Sequence, residues 1–557
     1  MYVDKNVYTA TNGKTYARYL LRESKRQGKE TIKKTILNIT DWGEETCEAI
    51  RFVLGNKKQL REHGLPSFDL NKLADLRVKQ DLPIGDVWLL HQRAMNNGLI
   101  AALGDSREGR LALWQVIARV IDQGSRLSAV RLARERETDF LNLGTFTERD
   151  LYNNLDWIAE HQHKIENALY KRRQGNKPCK LFLYDVTSSY FEGVENELAN
   201  FGYNRDKKRG KMQIVVGLLC DEDGLPIAVE VFEGNTNDTK TFHSQIRKVA
   251  DRFQVKEVVF VGDRGMIKSV QQKELTDEGF GFITALTKPQ IKTLLAQGAV
   301  QLALFDENIN EVILEDSKRY VLRRNPIRAD EIASARASKL LSLQEFVTKK
   351  NEYLQKHPRA NVLTALKHVN ARAARLKIDQ WIECASALAA RKITVSVNES
   401  KLQNISLLDG CYCLTTSLSA EQMDKEQVHS RYKDLAMVEE AFRCCKTGHL
   451  EVRPVYVRKE GRTRAHVFVV MLSYLLVKEL RECWRELDST VEENISALSG
   501  LSGVRLRTKG GGEIYMIPEP RRDLAKFFSL ADVVPPTLLP AGRTNADTER
   551  KLTSRRK

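Results

Sequence analysis

Apolar positions along this chain repeat with two different periods, and the changes of period divide it into segments. Between residues 14 and 41 they alternate as in a strand: Tyr16-Ala17-Arg18-Tyr19-Leu20-Leu21, then Thr31-Ile32-Lys33-Lys34-Thr35-Ile36-Leu37. The turn Arg26-Gln27-Gly28-Lys29 between them predicts a basic hairpin. From about 85 to 172 the period becomes helical. One helix is expected to open around Gly109 to Ile117, a second at Ser128 to Ala133, and a third at Thr147-Glu148-Arg149-Asp150-Leu151.

The texture changes again at Pro178. Leu181 to Val186 reads as a strand, apolar on both sides of the pleat as a central strand should be. Gln213 to Leu219 and Ile227 to Phe232 flank the turn Asp221-Glu222-Asp223-Gly224 and predict a hairpin. A helix near 240–252, a strand at Val258 to Gly262, a helix near 266–278 and a strand at Phe282 to Leu286 follow. The expected class is α/β, a mixed sheet in the order β-β-β-α-β-α-β-α with helices on its faces. Residues 291–405 break this rhythm with two charged helical stretches, Ser334 to Gln355 and Val362 to Ile378, and predict an inserted subdomain. After about 486 come Gly510-Gly511-Gly512, Pro535-Pro536 and a basic run from Arg550 to Lys557, expected to be mostly linker and flexible tail.

Charge narrows the partners. The chain of 557 residues is 42% hydrophobic, enough for real cores, and its 89 Lys and Arg against 73 Asp and Glu give a net charge of +16. A basic balance fits a polyanion, nucleic acid or an anionic membrane, as well as it fits a plain basic surface. The longest apolar stretch, Val467 to Val477, is interrupted by Ser473 and falls short of the ~20 residues of a membrane span, so no membrane partner is expected. The start, Met1 to Lys5, has no signal-peptide h-region. Nine cysteines without a CxxC pair indicate reduced thiols and a cytoplasmic setting rather than a zinc knuckle or a disulfide framework. Nucleic acid is left as the favoured polyanion. The helical block before 177 suits a DNA-binding region and a scaffold equally. The Lys/Arg content of the insertion fits a solvated helix face better than a DNA contact.

Three acids carry the candidate chemistry. Asp185 sits within the first strand of the sheet, Asp263 ends the fourth, and Glu439 lies in a helical pattern running from Tyr432 to Lys446. Taken singly, each has an ordinary explanation: a strand-end hydrogen bond, a Gly-Asp-Arg-Gly turn, an i,i+4 pair of Glu439 with Arg443. Together they change the balance. In a sheet of this order the first and fourth strands are expected side by side, with both acids near one edge. At 100° per residue, Val438, Ala441, Phe442 and Cys445 form an apolar stripe, while Tyr432, Glu439, Arg443 and Lys446 share the next one. Three carboxylates can hold two hard divalent cations for displacement at a phosphodiester, with Arg443 and Lys446 placed for flanking phosphates.

This order of strands and acids resembles the ribonuclease H-like fold of DDE transposases of bacterial insertion sequences, in the branch with a Y-x2-R-x3-E-x6-K signature. Tyr432, Glu439 and Lys446 occupy the Tyr, Glu and Lys positions; Leu435 stands where that signature has Arg, leaving Arg431, Lys433 or Arg443 for its phosphate contact. Tyr184 to Phe191, Glu233 to Asp238, Gly262 to Met266 and Arg453-Pro454-Val455-Tyr456 are similar as well. The resemblance implies catalytic and metal-binding roles for Asp185, Asp263 and Glu439, with Mg²⁺ as cofactor and Mn²⁺ as substitute. It implies DNA contacts from Tyr432, Arg443 and Lys446. The partners would be terminal inverted repeats and target DNA, held by a homodimer in a synaptic complex in the bacterial cytoplasm, at the nucleoid. The expected organisation is a basic hairpin-like segment (1–60), a helical, DNA-binding region (61–177), the catalytic core in two parts (178–290 and 406–487) around the insertion (291–405), and a C-terminal segment (488–557). A ribonuclease H-like nuclease or resolvase without strand transfer shares the acids and is the alternative; the segments upstream of the core favour transposition.

Overall fold

The computed structural model describes residues 2–9, 15–27, 30–56, 77–175, 179–206, 208–248, 258–314, 318–446, 448–453, 455–507, 513–538 and 542–548. Their packing divides them into two units. One holds 1–178, 186–237 and 437–557; the other holds 179–185 and 238–436.

The second unit is built on a mixed sheet. Leu181 to Tyr184 pair in parallel with the strand Val259–Gly262, which pairs in parallel with Gly281–Ala285. Cys411–Thr416, Arg319–Arg324 and Asn310–Ile313 extend the sheet in antiparallel fashion. The central strands are apolar on both faces because both faces are covered: Phe182, Leu183, Tyr184, Phe260 and Val261 are fully buried. Phe242 and Phe280 pack onto this surface, with ring centroids 5.5 Å and 5.8 Å from Phe260. Each such ring contributes roughly 1.5–3 kcal/mol by leaving water.

The segment with a core of its own begins at Pro326, because the sheet continues through Asn310–Ile313 and Arg319–Arg324 first. Helix Pro326–Lys356 starts from an Asn325 cap and Val362–Leu376 from an Asn361 cap. Leu343, Val347 and Leu354 on one, and Val362, Ala365, Val369 and Ala373 on the other, face a common core closed by Trp381, Ile382 and Ile393 of the following hairpin region.

In the first unit the hairpin expected over 14–41 is part of a three-stranded antiparallel sheet. Tyr2–Thr9 pairs with Thr15–Gln27, which pairs with Glu30–Asn38; residues 28 and 29 of the expected turn lie outside the described residues. Val3, Tyr19, Leu21 and Ile39 pack on Cys47, Ile50 and Leu54 of helix Glu44–Gly55. The helices Arg107–Ile121, Arg126–Glu135 and Glu148–Gln174 open from side-chain caps at Ser106, Ser125 and Thr147, the last with Asp150 in a reciprocal capping box. The long apolar stretch around Val467 is the centre of helix Glu460–Cys483, which packs against Arg107–Ile121, Glu148–Gln174 and the strand Pro226–Glu233. Ser473 is accommodated because its hydroxyl donates to the carbonyls of Val469 (2.8 Å) and Val116 (3.1 Å). Among the described residues no helix is long and apolar enough to cross a membrane. The expected hairpin Gln213–Cys220/Pro226–Glu233 is antiparallel, and Gly224 takes the positive φ of 69° that its turn needs.

The segment after 486 departs from the linker expected there. Ser502–Arg507 pairs with Arg77–Pro83 and with Glu513–Met516, and Thr544–Ala546 pairs with Gly144–Phe146. Leu498, Leu501, Val504, Leu524 and Phe528 are buried, so this stretch has apolar side chains to cover. Gly510 to Gly512 and the run Arg550 to Lys557 lie outside the described residues.

Candidate active site

The parallel register decides where the two aspartates stand. Tyr184 faces Gly262 in the last pair of the ladder, so the next residues on the two chains are Asp185, still within its strand, and Asp263, just past the end of its own. Asp185 is half-buried and Asp263 exposed. Asp263 is oriented locally: its Oδ1 accepts the Arg264 N–H at 2.7 Å, and its carbonyl accepts the Met266 N–H at 2.9 Å, closing a tight turn. Gly262 makes room for that turn, since a Cβ there would lie 2.9 Å from Ile267.

Tyr432 belongs to the same unit and hydrogen-bonds Asp263. Burial pushes its hydroxyl pKa well up, and the charges of Asp263 and Asp185 push it further. The hydroxyl thus stays protonated as a donor at neutral pH. This placement corrects the expected single helix. Helix Lys425–Lys433 opens from an Asp424–Gln427 capping box and stops at Asp434, whose N–H bonds the Ser430 carbonyl and whose carboxylate pairs with Arg431 at 3.2 Å. A new helix runs Leu435–Lys446. Tyr432 is therefore on the preceding helix, and Glu439 on the next. The apolar period continues through the break, which is why it does not show in the sequence.

Glu439 is exposed on helix Leu435–Lys446, as is Arg443 one turn on. Val438, Ala441, Phe442 and Cys444 bury the opposite side, and Glu440 pairs with Arg481. The helix ends where Gly448, Leu450 and Val452 donate back to the carbonyls of Arg443, Cys444 and Cys445.

Lys446 already has protein partners. Its ammonium lies 2.7 Å from Asp206 Oδ1 and 3.1 Å from Thr187 Oγ1, with the Lys446 and Asp206 side chains only 12% and 15% exposed. Asp206 was missed in the sequence; its signal is a lone acid inside the basic run Arg205-Asp206-Lys207-Lys208-Arg209.

Carboxylates are hard oxygen donors suited to Mg²⁺ or Mn²⁺, and the Asp185–Asp263 pair fits a divalent ion in kind. Among the described residues no three His, Cys, Asp or Glu side chains come together as a ready-made cage.

Residues 180–476, which include all three acids, match the family model described as "Transposase DDE domain". Among curated proteins nothing matches. Among solved structures, the chain is similar to a piggyBac transposase synaptic complex with hairpin DNA, at 10% identity and a TM-score of 0.34 over 74% of this chain and 75% of that one. It is also similar to a Mos1 transposase paired-end complex with left transposon end, at 11% identity and a TM-score of 0.14 over 32% of this chain and 59% of that one.

Proposed function

The chain belongs to the transposase DDE domain family and is a DDE transposase, cutting and joining DNA in transposition; on that footing we propose that Asp185, Asp263 and Glu439 carry its chemistry. Members of this family generally use divalent metal ions. The ion proposed is Mg²⁺, with Mn²⁺ as substitute. The observation that carries the reading is the register Tyr184 to Gly262, after which Asp185 and Asp263 are the next residues on the two chains. A pair of such ions stabilises both the attacking and the leaving oxygen of an in-line displacement at phosphorus.

The chain's own residues have distinct tasks in this reading. Asp185 and Asp263 supply ligands from rigid strands. Tyr432 holds the Asp263 carboxylate by its hydroxyl. Glu439 supplies the third carboxylate from an exposed helix face. Arg443 takes a flanking phosphate, and Lys446, partnered by Asp206, lends its charge to DNA binding. The net charge of +16 supports duplex DNA as the substrate, with element ends and target DNA as its two kinds. The element order and the parallel pair support a ribonuclease H-like sheet. A homodimer holding two ends completes the proposal.

Cleavage and strand transfer on DNA carrying the element's ends test it. Asp185→Asn, Asp263→Asn and Glu439→Gln should each lose cleavage while end binding, which rests on other phosphate contacts, stays near wild type. Retained cleavage in any one of them removes that residue from the set.

A further inference from the structure

Within the first unit lies a cavity of about 720 Å³ with Lys446 on its wall. Its size is within the ~300–1,000 Å³ of ordinary ligand pockets. Its walls combine rings and cations. The Arg453 guanidinium lies 4.1 Å from the centroid of the Tyr190 ring, and Lys208 lies 5.8 Å from the same ring. The Arg453 Nε is buried with no hydrogen-bond partner among the described residues, so no protein acceptor holds it there. Tyr456 on the cavity wall is 61% exposed, which leaves its ring accessible.

Charge on the walls is balanced rather than basic. Lys446, Arg453 and Arg458 are matched by Glu192, Glu195 and Glu451. Glu195 pairs with Arg458 at 3.6 Å, and Glu192 with Lys211 at 2.6 Å. A bare phosphate finds little net attraction here. A neutral planar heterocycle finds rings to stack on and a guanidinium plane, while its flanking phosphates meet Lys208 and Lys211 outside.

We propose that this cavity binds one unpaired nucleotide of a single DNA strand, with its base stacked on Tyr456 and lying beside the Arg453–Tyr190 stack. The proposal rests on the reading of this chain as a DNA-cutting enzyme, but its test needs no cleavage. The probe is fluorescent dT12 with the full chain in EDTA, beside a 12-residue abasic strand and a blunt 12-base-pair duplex. Tyr456→Ala should weaken dT12 binding by about 5- to 150-fold, the range for loss of one stacked base. Tyr456→Phe, which keeps the ring, should bind like wild type. Neither change should alter affinity for the abasic strand or the duplex. Because Tyr456 is exposed, misfolding of the variant is not expected, and unchanged duplex binding checks it. Equal dT12 affinity for Tyr456→Ala and wild type, or a loss shared by dT12 and the abasic strand, overturns the proposal. A chain that joins DNA ends yet fails this test loses only the pocket. One that passes but cuts nothing keeps the pocket and loses the proposed catalytic set.

Discussion

At the scale of single residues, the ion pair of Lys446 with Asp206 changes what a substitution there reports. Lys446→Ala strips a largely buried carboxylate of its partner, and about 1–3 kcal/mol of stability should go with it. Urea melts of Lys446→Ala and of the double variant Lys446→Ala/Asp206→Ala separate the two effects: the double variant should recover part of the loss. Arg443 is the cleaner probe of phosphate contact. Arg443→Ala should flatten the log–log salt dependence of end binding by about one unit, whereas an unchanged slope would mean that it serves only its own helix. Histidines give a pH signature. Burial lowers the pKa of His466 far below its usual value and that of His91 to about 4. His466 is fixed as neutral by Arg126 on Nδ1 (3.0 Å) and by the Val452 carbonyl on Nε2 (2.8 Å). In this pH range the unfolded chain binds protons that the folded chain refuses. Stability is therefore intact above pH ~6.5 and falls as the pH drops toward 4, by at most about 1.4 kcal/mol per pH unit for each group. A urea midpoint that stays level between pH 6.5 and 5 would contradict this.

Among elements, those whose partners lie close in sequence, or whose burial is two-sided, were legible. The strand around Asp185 and the Val258 to Gly262 stretch announced themselves by unbroken apolar runs, and their adjacency followed from the order of elements. The caps at Thr147 and the turn at Asp221 were readable for the same local reason. The break at Asp434 was not, because its Arg431 pair and capping bonds leave the hydrophobic period intact. Phe260 tests how far the sheet core supports the carboxylate pair. It is fully buried among Phe182, Phe242 and Phe280, so Phe260→Ala should cost about 3–5 kcal/mol. Thermal melts read the cost. If cleavage at low temperature stays normal, Asp263 is held by its own turn rather than by the packing beneath it.

For the whole chain, the least legible feature is how its distant ends meet. No periodicity could pair Ser502–Arg507 with Arg77–Pro83, or Thr544–Ala546 with Gly144–Phe146, because such contacts depend on register between segments about 400 residues apart. The pairing bears on any search for the DNA-reading region. A fragment ending near Gln174 lacks helix Glu460–Cys483 and both late strands, so its bundle would expose the apolar side of Arg107–Ile121. Such a fragment should be largely insoluble or partly unfolded by circular dichroism, and a folded, monomeric fragment would refute the dependence. End recognition is better mapped by substitutions at exposed positions of the strands Thr15–Gln27 and Glu30–Asn38 in the full chain, such as Arg18, Lys33 and Lys34. The same central helix has a consequence for biosynthesis. Glu148–Gln174 leaves the ribosome roughly 300 residues before Cys483 does, which at ~5–20 residues per second is a wait of roughly 15–60 s. During that interval the nascent bundle lacks its core. Chaperone supply during translation, more than the stability of the finished enzyme, should then set how much active protein a cell accumulates.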